Sequence, residues 1–151
     1  MNKLLLMHGA NLNVLGKRDH AHYGDLSLAD LEELTRLCVK SYGLDLITYQ
    51  SNHEGFLIDT LQQIASECLG VIINPGAFSH SSYALHDALL DTQLPVIEVH
   101  LSDIQNREAW RAHSVITPAC LTMISGKKQQ GYLEAVQVLM AHLHISLREL
   151  A

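Results

Sequence analysis

No apolar run in this 151-residue chain reaches the length that spans a bilayer, and its 48 % apolar content is divided among short stretches. Cysteine is scarce and dispersed: Cys38, Cys68 and Cys120 are odd in number and form no C-x-x-C pair. Cys38 and Cys68 fall on apolar helical faces, so reduced buried thiols in the cytoplasm are expected, not bridges. Positive charge is also short. Ten Lys and Arg stand against sixteen Asp and Glu, a net charge of −6, which excludes nucleic acid and anionic membrane as expected partners. One lysine precedes the first apolar stretch and no small-residue cleavage pattern follows it, so the N-terminus reads as a first strand and not a leader. There is no G-x-S-x-G elbow, no G-x-x-x-x-G-K-[ST] or G-x-G-x-x-G phosphate loop, and no cluster with metal-ligand spacing.

What is present is regular. Apolar strand candidates are Lys3–Met7, Leu44–Gln50, Gly70–Asn74, Pro95–His100 and Cys120–Ser125. Helical stripes lie between them. Ser27 with Asp30 forms an N-cap signature, followed by Leu31, Leu34, Cys38 and Tyr42. Leu57, Leu61, Ile64, Ala65 and Cys68 make the second stripe, ending at Gly70. Ala84, Leu85, Ala88 and Leu89 make the third, after Ser81-Ser82. A short polar helix is expected over Gln105–Arg111, and Leu133, Val136, Met140 and Leu143 form the last stripe. Alternating strands and helices predict a parallel sheet with right-handed crossovers. The fold class is therefore α/β: a flavodoxin-like, doubly wound, five-stranded parallel sheet in three α/β/α layers. It is expected to form one domain over residues 1–151.

Polar residues gather where strands one, three and four end. His8 to Tyr23 follows the first strand, Asn74 to Ser81 follows the third, and Glu98-Val99-His100-Leu101-Ser102 closes the fourth. In such a sheet these ends converge on one crevice. Asn74 before Pro75-Gly76 could equally be a turn former, and His80 could merely cap the helix after it. Glu98 and His100 alternate on a strand and point the same way; a carboxylate in so apolar a strand is costly unless paired. Arg107 and Arg111, four apart, could grip a carboxylate from one helix face, or Arg107 could simply pair with Glu108. His20 and His22 lack a third ligand at suitable spacing and read as solvated loop residues, as do His142 and His144 near the C-terminus. Lys127 and Lys128 read as solvated charge.

A tyrosine, an arginine near it, two histidines and several amides suit abstraction of a proton α to a carbonyl. Amides or bound water would hold the enolate, and a histidine would act on a leaving hydroxyl. A free phenol titrates near ~10, so a base of this type needs a nearby cation such as Arg18 to favour the phenolate.

Five ordered motifs carry a resemblance over essentially the whole chain. His8-Gly9-Ala10-Asn11-Leu12-Asn13-Val14-Leu15-Gly16-Lys17-Arg18-Asp19-His20-Ala21-His22-Tyr23-Gly24 resembles N-G-P-N-L-N-x-L-G-x-R-x-P-x-x-Y-G of the type II 3-dehydroquinases. Gln50-Ser51-Asn52-His53-Glu54-Gly55 resembles that family's Q-S-N-x-E-G. Asn74-Pro75-Gly76-Ala77-Phe78-Ser79-His80-Ser81-Ser82 resembles its N-P-[GA]-[GA]-[FYL]-[ST]-H-[ST]-S. Ile97 to Ser102 and Arg107-Glu108-Ala109-Trp110-Arg111 match I-E-V-H-[IL]-S and R-E-x-[FW]-R.

The resemblance implies dehydration of 3-dehydroquinate to 3-dehydroshikimate. Tyr23 would take the α-proton, Arg18 would stabilise the phenolate and the enolate, and Asn11 would help hold the enolate. His100 would protonate the departing hydroxyl with Glu98 positioning it; His80 is the alternative donor. Asn74, His80, Arg111 and the backbone amides of Leu101 and Ser102 would bind substrate. Arg107 would lie on the mobile side of the site, and Asp87 would reach a neighbouring subunit's site. The resemblance further implies a homo-oligomer, a dodecamer built from trimers, using no metal and no organic cofactor. The Arg18–Tyr23 segment would be a lid.

Four positions depart from the pattern: His8 for asparagine, Ala10 for proline, and Asp19-His20 for Glu-Pro. The first two are expected to alter how Asn11 is held, and the lost proline to loosen the open lid. Rival readings fare poorly. Gly9 to Gly16 has no Ser or Thr for a flavin phosphate, the acids of a phospho-receiver are missing, and no lysine sits where a Schiff base could form.

Overall fold

The computed structural model describes residues 2–149. Five strands, β1 (Lys3–His8), β2 (Asp45–Gln50), β3 (Gly70–Asn74), β4 (Val96–His100) and β5 (Thr122–Ser125), form one sheet. All pair in parallel, in the order β2-β1-β3-β4-β5. The flavodoxin-like, doubly wound α/β architecture is thus the observed one. The helices are α1 (His20–Tyr23), α2 (Leu28–Ser41), α3 (Glu54–Ile64), α4 (Tyr83–Asp91) and α5 (Gln129–Leu143). No helix among the described residues is long and apolar enough to cross a membrane.

Strand alternation splits the core in two. Leu4, Leu6, Ile72, Ile97 and Val99 face α2 and α5, packing on Leu31, Val39, Tyr132, Val136 and Leu139. Leu5, Met7, Val71, Ile73 and Val96 face α3 and α4, packing on Leu57, Leu61, Leu85 and Leu89. The same alternation sends the strand-end side chains to opposite sides. His8 and Asn74 turn toward α5, whereas Glu98 and His100 turn toward the other layer.

The Ser27–Asp30 capping box is present in both directions at 3.1 Å, and Ser82 Oγ accepts from the Leu85 N–H at 3.0 Å to start α4. Four helical stripes need correction. In α2 the buried line is Leu31, Thr35 and Val39, and Cys38 is only half-buried. Thr35 joins that face because its hydroxyl bonds the Leu31 carbonyl at 2.8 Å, so an apolar-only stripe misses it. In α5 Tyr132, not Leu133, is buried. α3 ends at Ile64, and a 3₁₀ turn over Ala65–Glu67 carries the chain to buried Cys68; Ala84 of α4 is exposed.

Two further corrections fall near the site. The segment after β1 is not all loop, since α1 closes one helical turn on an Asp19 cap that accepts the Ala21 N–H at 2.9 Å. The expected helix Gln105–Arg111 is two 3₁₀ turns, Ile104–Asn106 and Ala109–Arg111, broken where Arg107 is extended. The Asp103 carboxylate caps the first turn and competes with a continuous helix.

Candidate active site

The loops after β1 and β3 meet backbone to backbone. The Gly9 N–H donates to the Asn74 carbonyl at 2.8 Å, and a Cβ on Gly9 would collide with the Pro75 carbonyl. Gly76, at φ +59°, sits under the Ala10 carbonyl, where a Cβ would approach to 2.7 Å. Asn52 braces the same loop through Oδ1, accepting from the Asn11 N–H at 2.9 Å and from Gln50 Nε2 at 3.1 Å. That gives the Gln50-Ser51-Asn52 element a role that sequence reading left without one.

Above these loops lies a cleft with a volume of about 110 Å³. Asn11, Arg18, Tyr23, Asn74, His80, His100, Leu101, Ser102, Arg107 and Arg111 all line it, with Ile104 added. The convergence expected from the three strand ends is therefore present. Glu98 is fully buried behind His100 instead of lining the cleft, and Asp87 lies outside it, exposed on α4 beside His86 Nδ1 at 3.0 Å. Asp87 makes no contact with its own chain's cleft.

Tyr23 sits among guanidiniums, though not as the sequence suggested. Arg18 stacks on the phenol, its Cζ 3.7 Å from the ring centroid. The bond to the phenol oxygen comes from Arg107 Nη1 at 2.8 Å, and Arg107 also reaches Ser102 Oγ at 3.3 Å. Arg107 approaches Glu108 only to 3.8 Å, so it serves the cleft more than that surface acid. Burial, with Arg107 and Arg111 nearby, holds Arg18 below the usual guanidinium value, while the Tyr23 hydroxyl opposes the shift. Three cations converging on one cleft form a site for negative charge. Arg111 is steadied by Glu108 Oε2 at 2.6 Å and by stacking on Trp110.

The opposite wall is a hydrogen-bonded pair. His100 Nε2 lies 2.6 Å from Glu98 Oε2. Burial works to raise the Glu98 carboxyl, but hydrogen bonds from His100, Thr117 and Ser114 outweigh it and hold the group below the usual carboxylate range. His80 does not cap α4, since Ser82 does; its Nδ1 donates to the His113 carbonyl at 2.8 Å. Asn74 is both turn former and cleft wall: Oδ1 accepts the Gly76 N–H at 3.1 Å and Nδ2 donates to Tyr132 Oη at 2.9 Å. Tyr132, Ser114 and Thr117 were not found from sequence, because nothing in spacing alone ties them to the crevice.

His8 is seated in the core. Its side chain is fully buried and stacks on Tyr132 at 5.8 Å. Neither ring nitrogen has a hydrogen-bond partner; Glu32 Oε1 is 3.6 Å away. Burial pushes the imidazole down to about 3 and pushes the Glu32 carboxyl up. The unfolded chain takes a proton near ~6.5 that the folded chain refuses until about 3, so stability falls as pH drops through that window. We expect a loss of roughly 2 kcal/mol between neutral pH and about 4.5 from this group. Urea unfolding of the protein and of His8→Asn at both pH values checks it; equal pH sensitivity in the two would contradict it. Among the described residues no cluster of three metal-ligating side chains exists, so His20 and His22 remain without a third partner.

The family model described as dehydroquinase class II matches residues 2–140. A 3-dehydroquinate dehydratase of Marinomonas sp. (strain MWYL1) is 45 % identical over 148 residues, covering 95 % of this chain and 99 % of its own. A catabolic 3-dehydroquinase 1 of Aspergillus fumigatus is 43 % identical over 148 residues, covering 98 % and 96 %. The crystal structure of a type II dehydroquinase from Butyrivibrio crossotus superposes with a TM-score of 0.88 at 40 % identity, covering 91 % of this chain and 96 % of that one.

Proposed function

The chain belongs to the class II dehydroquinases, and from that membership we propose that it dehydrates 3-dehydroquinate to 3-dehydroshikimate with Tyr23 as base and His100 as acid. The observation that supports the assignment of roles is the placing of two groups on one cleft: a phenol oxygen bonded by a guanidinium, and an imidazole backed by a buried carboxylate.

The Tyr23 phenolate takes the proton α to the substrate's carbonyl, and the C–H electron pair becomes the enolate. Arg107 donates to the phenol oxygen and Arg18 lies over the ring, so two guanidiniums stand beside the base. Arg18 and Asn11 face the developing enolate charge from the cleft wall, the kind of preorganised stabilisation that contributes most to such steps. The enolate then re-forms its carbonyl, the new C=C bond closes, and the β-hydroxyl leaves as water with the proton of His100. Glu98 supplies the counter-charge for that imidazole. Asn74, His80, Arg111 and the Leu101–Ser102 backbone hold the substrate's hydroxyls and carboxylate. The chemistry calls on no metal or organic cofactor.

The chain works as one domain over residues 1–151, in the cytoplasm, at the shikimate-pathway step that leads to aromatic amino acids. A dodecamer of trimers would carry Asp87, exposed on α4 outside its own cleft, to a neighbouring subunit's site.

We propose anti stereochemistry, which membership of the class II dehydroquinases implies. With substrate deuterated at one α-position at a time, label is lost from the position anti to the hydroxyl and kept in the other. Loss of the syn label would overturn this arrangement of base and acid.

A further inference from the structure

The segment between the second 3₁₀ turn and β5 bonds His80 and the carboxylate behind His100, yet none of the five sequence motifs covers it. The His113 carbonyl accepts from His80 Nδ1 at 2.8 Å, and the Val115 N–H donates to the Ser79 carbonyl at 2.7 Å, which keeps the segment against the β3 loop. Ser114 and Thr117 of the same segment turn their hydroxyls onto Glu98. Ser114 Oγ donates to Oε2 at 2.7 Å and Thr117 Oγ1 donates to Oε1 at 2.6 Å. Together with His100 Nε2 on Oε2 at 2.6 Å, the carboxylate has three donors.

The direction of each bond follows from chemistry. Ser114 Oγ already accepts the N–H groups of Ile116 at 3.2 Å and Thr117 at 3.3 Å, so its own proton points to Glu98. An ionised carboxylate only accepts, so the neutral His100 ring carries its proton on Nε2 and keeps Nδ1 for the cleft. His80 is fixed the other way, because a carbonyl holds its Nδ1 proton.

We propose that Thr117 and Ser114 are positioning residues of the dehydration site: their hydroxyls hold the Glu98 carboxylate in place, and through it the tautomer and orientation of His100, so that Nδ1 is the nitrogen that serves the substrate. This rests on the reading of His100 as the acid. The ionisable groups facing Glu98 are His100 on its own strand and the Cys120 thiol, which burial and Glu98 itself push up to about 12, so it stays neutral. Among these contacts only His100 and the two hydroxyls donate hydrogen bonds to the carboxylate.

Thr117→Val keeps the shape of the side chain and removes the donor, while Thr117→Ser keeps the donor. Thr117→Val should lower kcat about tenfold with KM unchanged, the worth of one charge-assisted hydrogen bond. The acid limb of its kcat profile should move up by about one pH unit, as a carboxylate losing a donor must. Thr117→Ser should restore both. A Thr117→Val profile that superimposes on that of the unaltered protein, or an equal loss in the valine and serine variants, would overturn the proposal. The ¹⁵N imidazole shifts of the unaltered protein read the tautomer without any turnover or substitution. In the neutral His100 ring the proton is expected on Nε2, and a neutral ring protonated on Nδ1 alone overturns the proposal. Failure to turn over 3-dehydroquinate would strike the reaction instead and leave this tautomer test standing.

Discussion

Tyr23→Phe should abolish measurable dehydration while leaving substrate binding nearly intact. The substitution removes only the phenol oxygen, which accepts from Arg107 Nη1 at 2.8 Å. The ring remains under Arg18, at 3.7 Å from the guanidinium to the centroid, so the cationic wall of the cleft keeps its shape. Loss of a general base of this kind costs ~10²–10⁴-fold in rate. The loss should appear in kcat, with KM changed little, because the phenol's contribution is made in the transition state and not in the bound ground state. Substrate binding by calorimetry separates the two quantities. A phenylalanine variant that retains most of its turnover would remove Tyr23 from the role of base and move attention to another group on the same wall.

The two histidines should divide their effects. Both line the cleft, but their backing differs in charge. His100 leans on a buried carboxylate at 2.6 Å, whereas His80 is held by a neutral carbonyl and the edge of Trp110. Only the first has a built-in counter-charge for an imidazolium that must carry and release a proton. His100→Gln should therefore lower kcat by ~10²–10⁴-fold. His80→Gln should act mainly on KM, as expected for a group that binds substrate equally in ground and transition states. His100→Gln also leaves Glu98 short of a donor in the core, a cost of about 1–3 kcal/mol, so its urea unfolding should be measured beside its kinetics. A kcat collapse in the His80 variant with a nearly unaltered His100 variant would exchange the two assignments.

Much of this arrangement is legible in the chain, for identifiable reasons. Apolar strands of four to six residues separated by helices leave few parallel topologies, and the polar residues at the ends of β1, β3 and β4 meet at the carboxyl edge. Glu98 and His100, two apart on a strand, must share a face, and they are found bonded. What was not legible depends on contacts distant in sequence. The phenol's donor is Arg107, eighty-four residues from Tyr23, and not its near neighbour Arg18. The hydroxyls behind Glu98 come from a segment without periodicity or motif. His8 illustrates the same limit: its position beside Asn11 in sequence suggested an influence there, but strand alternation turns it to Tyr132 on the far layer. Tyr132 in turn accepts from the Asn74 amide through its hydroxyl at 2.9 Å.

The helix expected over Gln105–Arg111 failed for a local reason. Asp103 and Glu108 offer side-chain acceptors, taken up by the Gln105 N–H and by Arg111 Nε, that stabilise separate turns. The break extends the chain at Arg107 and lets its side chain reach Tyr23, so the departure from regular structure is what completes the site.

The most direct test of the account is to mix the purified protein with 3-dehydroquinate, without added cofactor, and follow the ultraviolet absorbance of the conjugated enone. Rapid rise of 3-dehydroshikimate by the unaltered protein, and no rise with a folded Tyr23→Phe variant, is the predicted result. A folded, unaltered protein that forms no product would contradict it. The four departures at His8, Ala10, Asp19 and His20 would then mark a change of substrate within β-hydroxy ketone acids.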